Sequence, residues 1–267
     1  MKRVDIVNAI YNAYDEDARL TKSRNGQLES ITTMRYIHAL LPEGAKVLEV
    51  GAGTGRYSVA LAKEGCDVSA VELVERNLET LRENAKGLEN LAAAQGDATN
   101  LGAFPDDAFD AVLTLGPMYH PYAPEDWNRA LDEAIRVTKP GGLIFTAFLS
   151  VYAILYANCL SGNFRKGLAE NFDGDFRVRH FEEQGFTGFD ISEFEALFDG
   201  KPVREIALAG TDSVLELAKQ MNGFSLPDEE FEAFVRYHLH TCEIRELLGS
   251  HSHLLHICRK QDGRTNR

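Results

Sequence analysis

Residues 47 to 57 read VLEVGAGTGRY: an apolar run, an acid at Glu49, and three alternating glycines, Gly51, Gly53 and Gly55, ahead of an amphipathic stretch. A buried strand that stops at a glycine turn and restarts as a helix lets a ligand reach the main chain, because no side chain fends it off. The spacing narrows the ligand. Dinucleotide-binding turns place the third glycine five residues after the first, beside a pyrophosphate, whereas Gly55 follows Gly51 by four. Glu49 also opposes a diphosphate, since a carboxylate repels phosphates but accepts hydrogen bonds from the ammonium group of an amino acid. Glu72 ends the next apolar run, DVSAVEL, 21 residues after Gly51, the separation at which a carboxylate meets a ribose diol.

With these residues in place, the segment resembles motif I of the class I S-adenosylmethionine-dependent methyltransferases, and the resemblance continues in order through residue 150. It implies that Glu49, Gly51, Ala52, Gly53 and Gly55 hold the methionine part of the cofactor S-adenosyl-L-methionine, and that Glu72 with Leu73 holds its ribose. Asp97 of QGDATNL then contacts the adenine amino group, with the amide of Ala98 beside it. FDAVLTLGPMYH, at 109 to 120, is similar to motif IV, with Leu115 and Gly116 flanking the cofactor. RVTKPGGLIFTAF resembles the stretch that ends one helix and begins the fifth strand. A lone glycine motif specifies little; five segments in the right order are a strong signal.

A sulfonium methyl group is already electrophilic, so such an enzyme gains rate mainly by aligning a nucleophile and excluding water. A base is needed only when the nucleophile arrives protonated. His120, in GPMYHPY after the fourth strand, is the candidate base, with Tyr119 as its catalytic neighbour. A backbone hydrogen bond is the competing role for the histidine, and packing for the tyrosine. Tyr122 is expected in the acceptor pocket, Tyr14 and Arg19 closing it from the N-terminal helices, and Tyr152 and Tyr156 facing it from an apolar lid. Arg19 is suited to grip a carboxylate at two points.

The 267 residues carry a net charge of -13, which opposes broad contact with phosphate backbones and so argues against a nucleic-acid partner. Four scattered cysteines without a CxxC pair fit thiols in a reducing cytoplasm, and the N-terminus lacks a secretory apolar core. Residues 143 to 160 are uncharged, yet they read better as a buried strand followed by an apolar helix than as a membrane span. Histidines and cysteines crowd YHLHTC and HSHLLHIC, but helical and strand geometry scatter them, and no metal site is expected.

Strand-like and helix-like runs alternate from residue 45 to 150, the pattern of a parallel α/β unit. The expected fold is a Rossmann-like, doubly wound, mostly parallel seven-stranded sheet with an antiparallel last strand and helical caps at both ends. Residues 1–42 form an N-terminal cap, 43–150 the cofactor-binding core, 151–260 lid insertions with the last two strands, and 261–267 a disordered tail. The expected activity is methyl transfer to a small, partly apolar molecule in the cytoplasm. Methylation of a protein or RNA, and a non-catalytic cofactor sensor, are the alternatives. The accepting atom and the oligomeric state leave no mark in the sequence.

Overall fold

The computed structural model describes residues 3–13, 16–17, 19–120, 123–181, 184–221 and 223–262. Its sheet contains β1 (Lys46–Val50), β2 (Asp67–Glu72), β3 (Leu91–Gln95), β4 (Phe109–Thr114), β5 (Thr138–Ser150), β6 (Gly188–Phe189), β7 (Val203–Gly210) and β8 (His253–Lys260). The order is β3-β2-β1-β4-β5-β8-β7, with β6 off that path on β5. The first five strands run parallel, and β8 is antiparallel to both β5 and β7.

The expected seven strands thus gain an eighth. Strand β4 stops at Thr114, paired with Thr146, while β5 runs on to Ser150. That overhang has a free edge, which Gly188 and Phe189 fill.

Alternation along the strands feeds two apolar layers. On one face Val47, Leu113, Phe145 and Ile257 pack with Leu61 of α3 (Arg56–Lys63) and with Ile37 of α2 (Arg24–Leu40). On the other, Leu48, Val112 and Ile144 pack against Ala134 and Ile135 of α5 (Pro124–Val137). Leu78 and Leu81 of α4 (Glu75–Asn84) are fully buried, as their helical spacing predicts. With both faces covered, the central strands read as nearly continuous apolar runs.

The N-terminal residues form α1 (Arg3–Ala13) and α2. Ser23 caps α2 by accepting a hydrogen bond from the Gly26 amide, worth about 1 kcal/mol. The uncharged stretch divides at Ser150 into the end of β5 and α6 (Val151–Leu160). No helix among the described residues is long and apolar enough to cross a membrane. After it come α7 (Phe164–Asn171) and α8 (Ile191–Ala196); between β7 and β8 lie α9 (Leu215–Ala218), α10 (Asp228–Thr241) and α11 (Arg245–Leu248). Of the expected tail, residues 263–267 lie outside the described ones.

Candidate active site

Strand order reverses between β1 and β4, and in an open α/β sheet such a switch point leaves a crevice at the carboxyl ends of the strands. A cavity of about 660 Å³ is lined there by the loops after β1, β2 and β4 and by α1 and α6. This lies in the usual range for a small-molecule site.

The glycine turn forms its floor. Gly51, Gly53 and Gly55 have φ of +69°, +57° and +85°, a left-handed region costly for other residues. A Cβ at Gly51 would lie 2.8 Å from the Pro117 ring, and one at Gly55 2.8 Å from Leu81 Cγ. Gly55 does not line the cavity; it lets α3 close on α4, whereas Gly51 and Gly53 do line it. Of the eleven residues expected to bind cofactor, the other ten border this one space: Glu49, Gly51, Ala52, Gly53, Glu72, Leu73, Asp97, Ala98, Leu115 and Gly116.

The three acids are already engaged. Glu49 is buried, and its Oε2 accepts hydrogen bonds from the amide and hydroxyl of Ser58 in the first turn of α3. Burial pushes its carboxyl up to about 7 against those bonds. Glu72 accepts from the amides of Gly53 at 2.7 Å and Val74 at 2.8 Å, one on each oxygen, and burial raises it to about 6. Each oxygen retains a lone pair for a diol. Asp97 accepts from Thr99 through Oδ1 and pairs through Oδ2 with Arg3, at the start of α1.

This donor set fits S-adenosylmethionine: a side-chain-free floor, a buried acid behind it, and a second acid with free lone pairs on the neighbouring strand. Glu72 at the end of β2 and Asp97 just after β3 border the cavity at successive strand ends.

The catalytic candidates differ from one another. Nδ1 of His120 lies 3.0 Å from the Gly185 carbonyl, so it donates, and Nε2, 3.0 Å from the Tyr11 hydroxyl, accepts. Burial lowers this imidazole to about 4, with the charge of Arg3 adding to the effect. Its basic nitrogen is occupied by Tyr11. Tyr119 is buried and lines the cavity, and its hydroxyl has no hydrogen-bond partner among the described residues.

Of the expected acceptor-side residues, Tyr14 and Tyr122 lie outside the described ones. Arg19 lines the cavity, but its two-point grip is taken by Glu16 at 3.0 Å and Glu29 at 2.7 Å. Tyr152 and Tyr156 require a correction. They are not among the residues that line the cavity and are 36% and 48% exposed, with Tyr152 bonded to Asp190. The face of α6 that reaches the cavity carries Ala153, Ile154, Ala157 and Asn158, one turn apart.

Residues that sequence reasoning missed complete the wall, among them Glu16, Asn77, Glu216, Lys219 and His253. His253 was legible only as one member of a histidine-rich stretch. The others carry no local signal. Among the described residues no group of three or more His, Cys, Asp or Glu is placed to hold a metal. The C-terminal histidines bond elsewhere: His238 to Thr32, His256 to Glu205, His253 to Asp212.

Residues 47–142 match the family model of a methyltransferase domain. A demethylmenaquinone methyltransferase from Clavibacter sepedonicus is 36% identical over 135 residues, 51% of this chain and 53% of that protein. The matched region thus spans only about half of that relative's length. The enzyme of the same name from Staphylococcus aureus is 32% identical over 179 residues, covering 57% of this chain and 72% of the relative. A Thermotoga maritima structure, described as an S-adenosylmethionine-dependent methyltransferase and possible histamine N-methyltransferase, superposes with a TM-score of 0.58 at 19% identity, over 97% of this chain and 100% of its own. That last likeness speaks to the fold. Taken with the ordered motifs and the glycine-floored crevice, these matches place the chain in the class I S-adenosylmethionine-dependent methyltransferase family.

Proposed function

We propose that the protein transfers a methyl group to a small, partly apolar molecule held in the crevice. The observation that carries this reading is the continuity of one cavity from the glycine floor to the apolar face of α6 and Phe186. A bound cofactor supplies a methyl group made electrophilic by its sulfonium. Glu49 backs the floor that receives its methionyl part, Glu72 offers lone pairs to the ribose, and Asp97 with Ala98 meets the adenine. Tyr119 and the apolar α6 face hold the acceptor, and α1 excludes water by crossing over the site through Arg3 and Tyr11. His120 holds Tyr11 in place in this reading.

A small acceptor is favoured over a macromolecule because RNA or a protein chain would have to displace α1, and the charge of -13 opposes RNA. The demethylmenaquinone in the names of the relatives favours a quinone-type acceptor, which carries ring hydroxyls in its reduced quinol form. Calorimetry with adenosylhomocysteine and a labelled-methyl assay test this, using naphthoquinol, a metabolite extract and ribosomes as acceptors. Binding in the micromolar range with label in the small-molecule fraction is expected. No binding by folded protein, or label only in ribosomes, overturns the proposal.

A further inference from the structure

The turn after β7 and the start of β8 bring together a carboxylate and an imidazole that no motif announces. Asp212 is fully buried, and its Oδ1 accepts from the amides of Ser252 at 3.0 Å and His253 at 3.2 Å. Its Oδ2 lies 2.8 Å from Nδ1 of His253, which fixes the ring and places a proton on that nitrogen. Nε2 has no hydrogen-bond partner among the described residues, and His253 lines the cavity. The Tyr119 ring stands edge-on to His253 at 5.8 Å, and its hydroxyl is likewise without a partner among the described residues. Pro117, in the same single-turn 3-10 helix as Tyr119, packs on Gly51. One short segment therefore joins the cofactor floor to the imidazole.

We propose that His253, oriented by Asp212, takes the proton from a hydroxyl of the methyl acceptor, which is accordingly a phenol or enol bound between His253 and Tyr119. This rests on the methyl-transfer reading above. In the step, the acceptor O–H bond breaks, its electron pair stays on oxygen, and the proton bonds to Nε2. The imidazolium rests against Asp212 and later releases the proton to water. The acceptor anion is the stronger nucleophile, at oxygen or at a conjugated carbon, and the Tyr119 hydroxyl donates to its oxygen.

The surroundings suit that role. Glu29 of α2, Glu16 and Arg19 ahead of it, Glu216 of α9, Tyr119 and Asp212 surround the imidazole electrostatically, and His251 Nδ1 lies 3.9 Å from Asp212. Burial pulls His253 down, but the charge of Glu29 and the bond and charge of Asp212 outweigh it and raise it to about 9, with Arg19 opposing. That nears the value of about 10 for a phenol, so proton transfer is close to balanced, and the neutral imidazole that accepts the proton becomes the major form only as pH rises toward 9.

The test compares the full chain with His253→Gln, which keeps a donor toward Asp212 but accepts no proton, and with Asp212→Asn. For His253→Gln, kcat on naphthoquinol is expected to fall about 10²–10⁴-fold, with the rise of kcat toward pH 9 lost. Its KM and its adenosylhomocysteine affinity should stay within about threefold of wild type. A His253→Gln enzyme with wild-type kcat and pH profile overturns the proposal. Imidazole NMR gives a readout without turnover: a His253 midpoint near 9 that falls toward the ordinary value of about 6.5 in Asp212→Asn supports it. A midpoint unchanged in folded Asp212→Asn overturns the pairing of His253 with Asp212, and His253→Gln decides alone if Asp212→Asn does not fold. Wild-type protein that binds adenosylhomocysteine yet methylates neither naphthoquinol nor extract removes the proposed function and this step together. Normal turnover with unimpaired His253→Gln removes this step alone.

Discussion

The Tyr11 hydroxyl lies 3.0 Å from Nε2 of His120, and this bond ties the N-terminal helix α1 to the turn after β4. Their rings meet edge to face at 5.4 Å, so the contact is aromatic as well as polar. Tyr11→Phe keeps the ring and removes the bond to the imidazole. Unfolding in urea should show a loss of about 1 kcal/mol, and hydrogen exchange in α1 should quicken while β4 stays protected. Unchanged exchange in α1 would refute the tie.

Acid and alkali act on different histidines. Burial lowers both His120 and His238 to about 4, while an unfolded histidine titrates near 6.5. The unfolded chain therefore binds more protons between these values. Their contribution is complete above about pH 6.5 and is lost as pH falls toward 4. His253, raised to about 9, contributes fully below about 6.5 and loses its share as pH rises through 9. Buried Glu49 and Glu72, raised to about 7 and about 6, act in the opposite sense over the acid window, so the comparison is between variants: His238→Gln should remove part of the histidine loss from the acid limb of the urea midpoint, while the decline through 9 remains. An acid limb of unchanged steepness in that variant would contradict the assignment.

Two neighbouring glycines should respond unequally to alanine. At Gly51 a methyl group combines a left-handed backbone with the rigid Pro117 ring at 2.8 Å, whereas at Gly53 it meets the flexible Glu16 side chain at 3.3 Å. Backbone strain alone costs about 1–2 kcal/mol at either. Gly51→Ala is expected to weaken adenosylhomocysteine binding more than tenfold beyond Gly53→Ala, as read by calorimetry. Equal losses would show that backbone strain, rather than the Pro117 contact, sets the effect.

Arg3 and the adenine compete for the same carboxylate oxygen of Asp97 if the adenine binds there. The pair is partly exposed, at 19% and 24% for the two side chains, so it contributes no more than about 1 kcal/mol. Arg3→Ala should tighten adenosylhomocysteine by up to about fivefold at low salt, with the gain shrinking at high salt. Weaker binding instead would mean that Arg3 closes over the cofactor and holds it.

That ten of the eleven residues expected at the cofactor border one cavity follows from how local their positions are. Glu49 and Gly51 are two residues apart on one turn, and the strand ends that follow repeat the strand-helix rhythm, so each acid has a fixed place in the sequence. The opposite wall was not legible in the sequence, because its residues meet through the fold: Asp212 and His253 are 41 positions apart, and Gly26 of α2 has no side chain to clash with the Arg19 carbonyl beside it. Tyr152 and Tyr156 misled because aromatic character on an apolar helix does not say which side of it faces in. Their partners one position along, Ala153 and Ala157, are smaller and carry less signal. Strand β6 leaves no mark in the sequence because two residues, Gly188 and Phe189, are too short for a period to register.

Strand β8 runs opposite to β5 and lies between β5 and β7. Its start therefore arrives at the end of the sheet where the parallel strands finish, bringing His253 with it. During synthesis β7 emerges before β8, but it has no sheet neighbour until β8 slots in beside it. The wall of the cavity that carries His253 thus depends on a long-range pairing, and a nascent chain halted before β8 would possess the glycine floor with nothing from β8 opposite it.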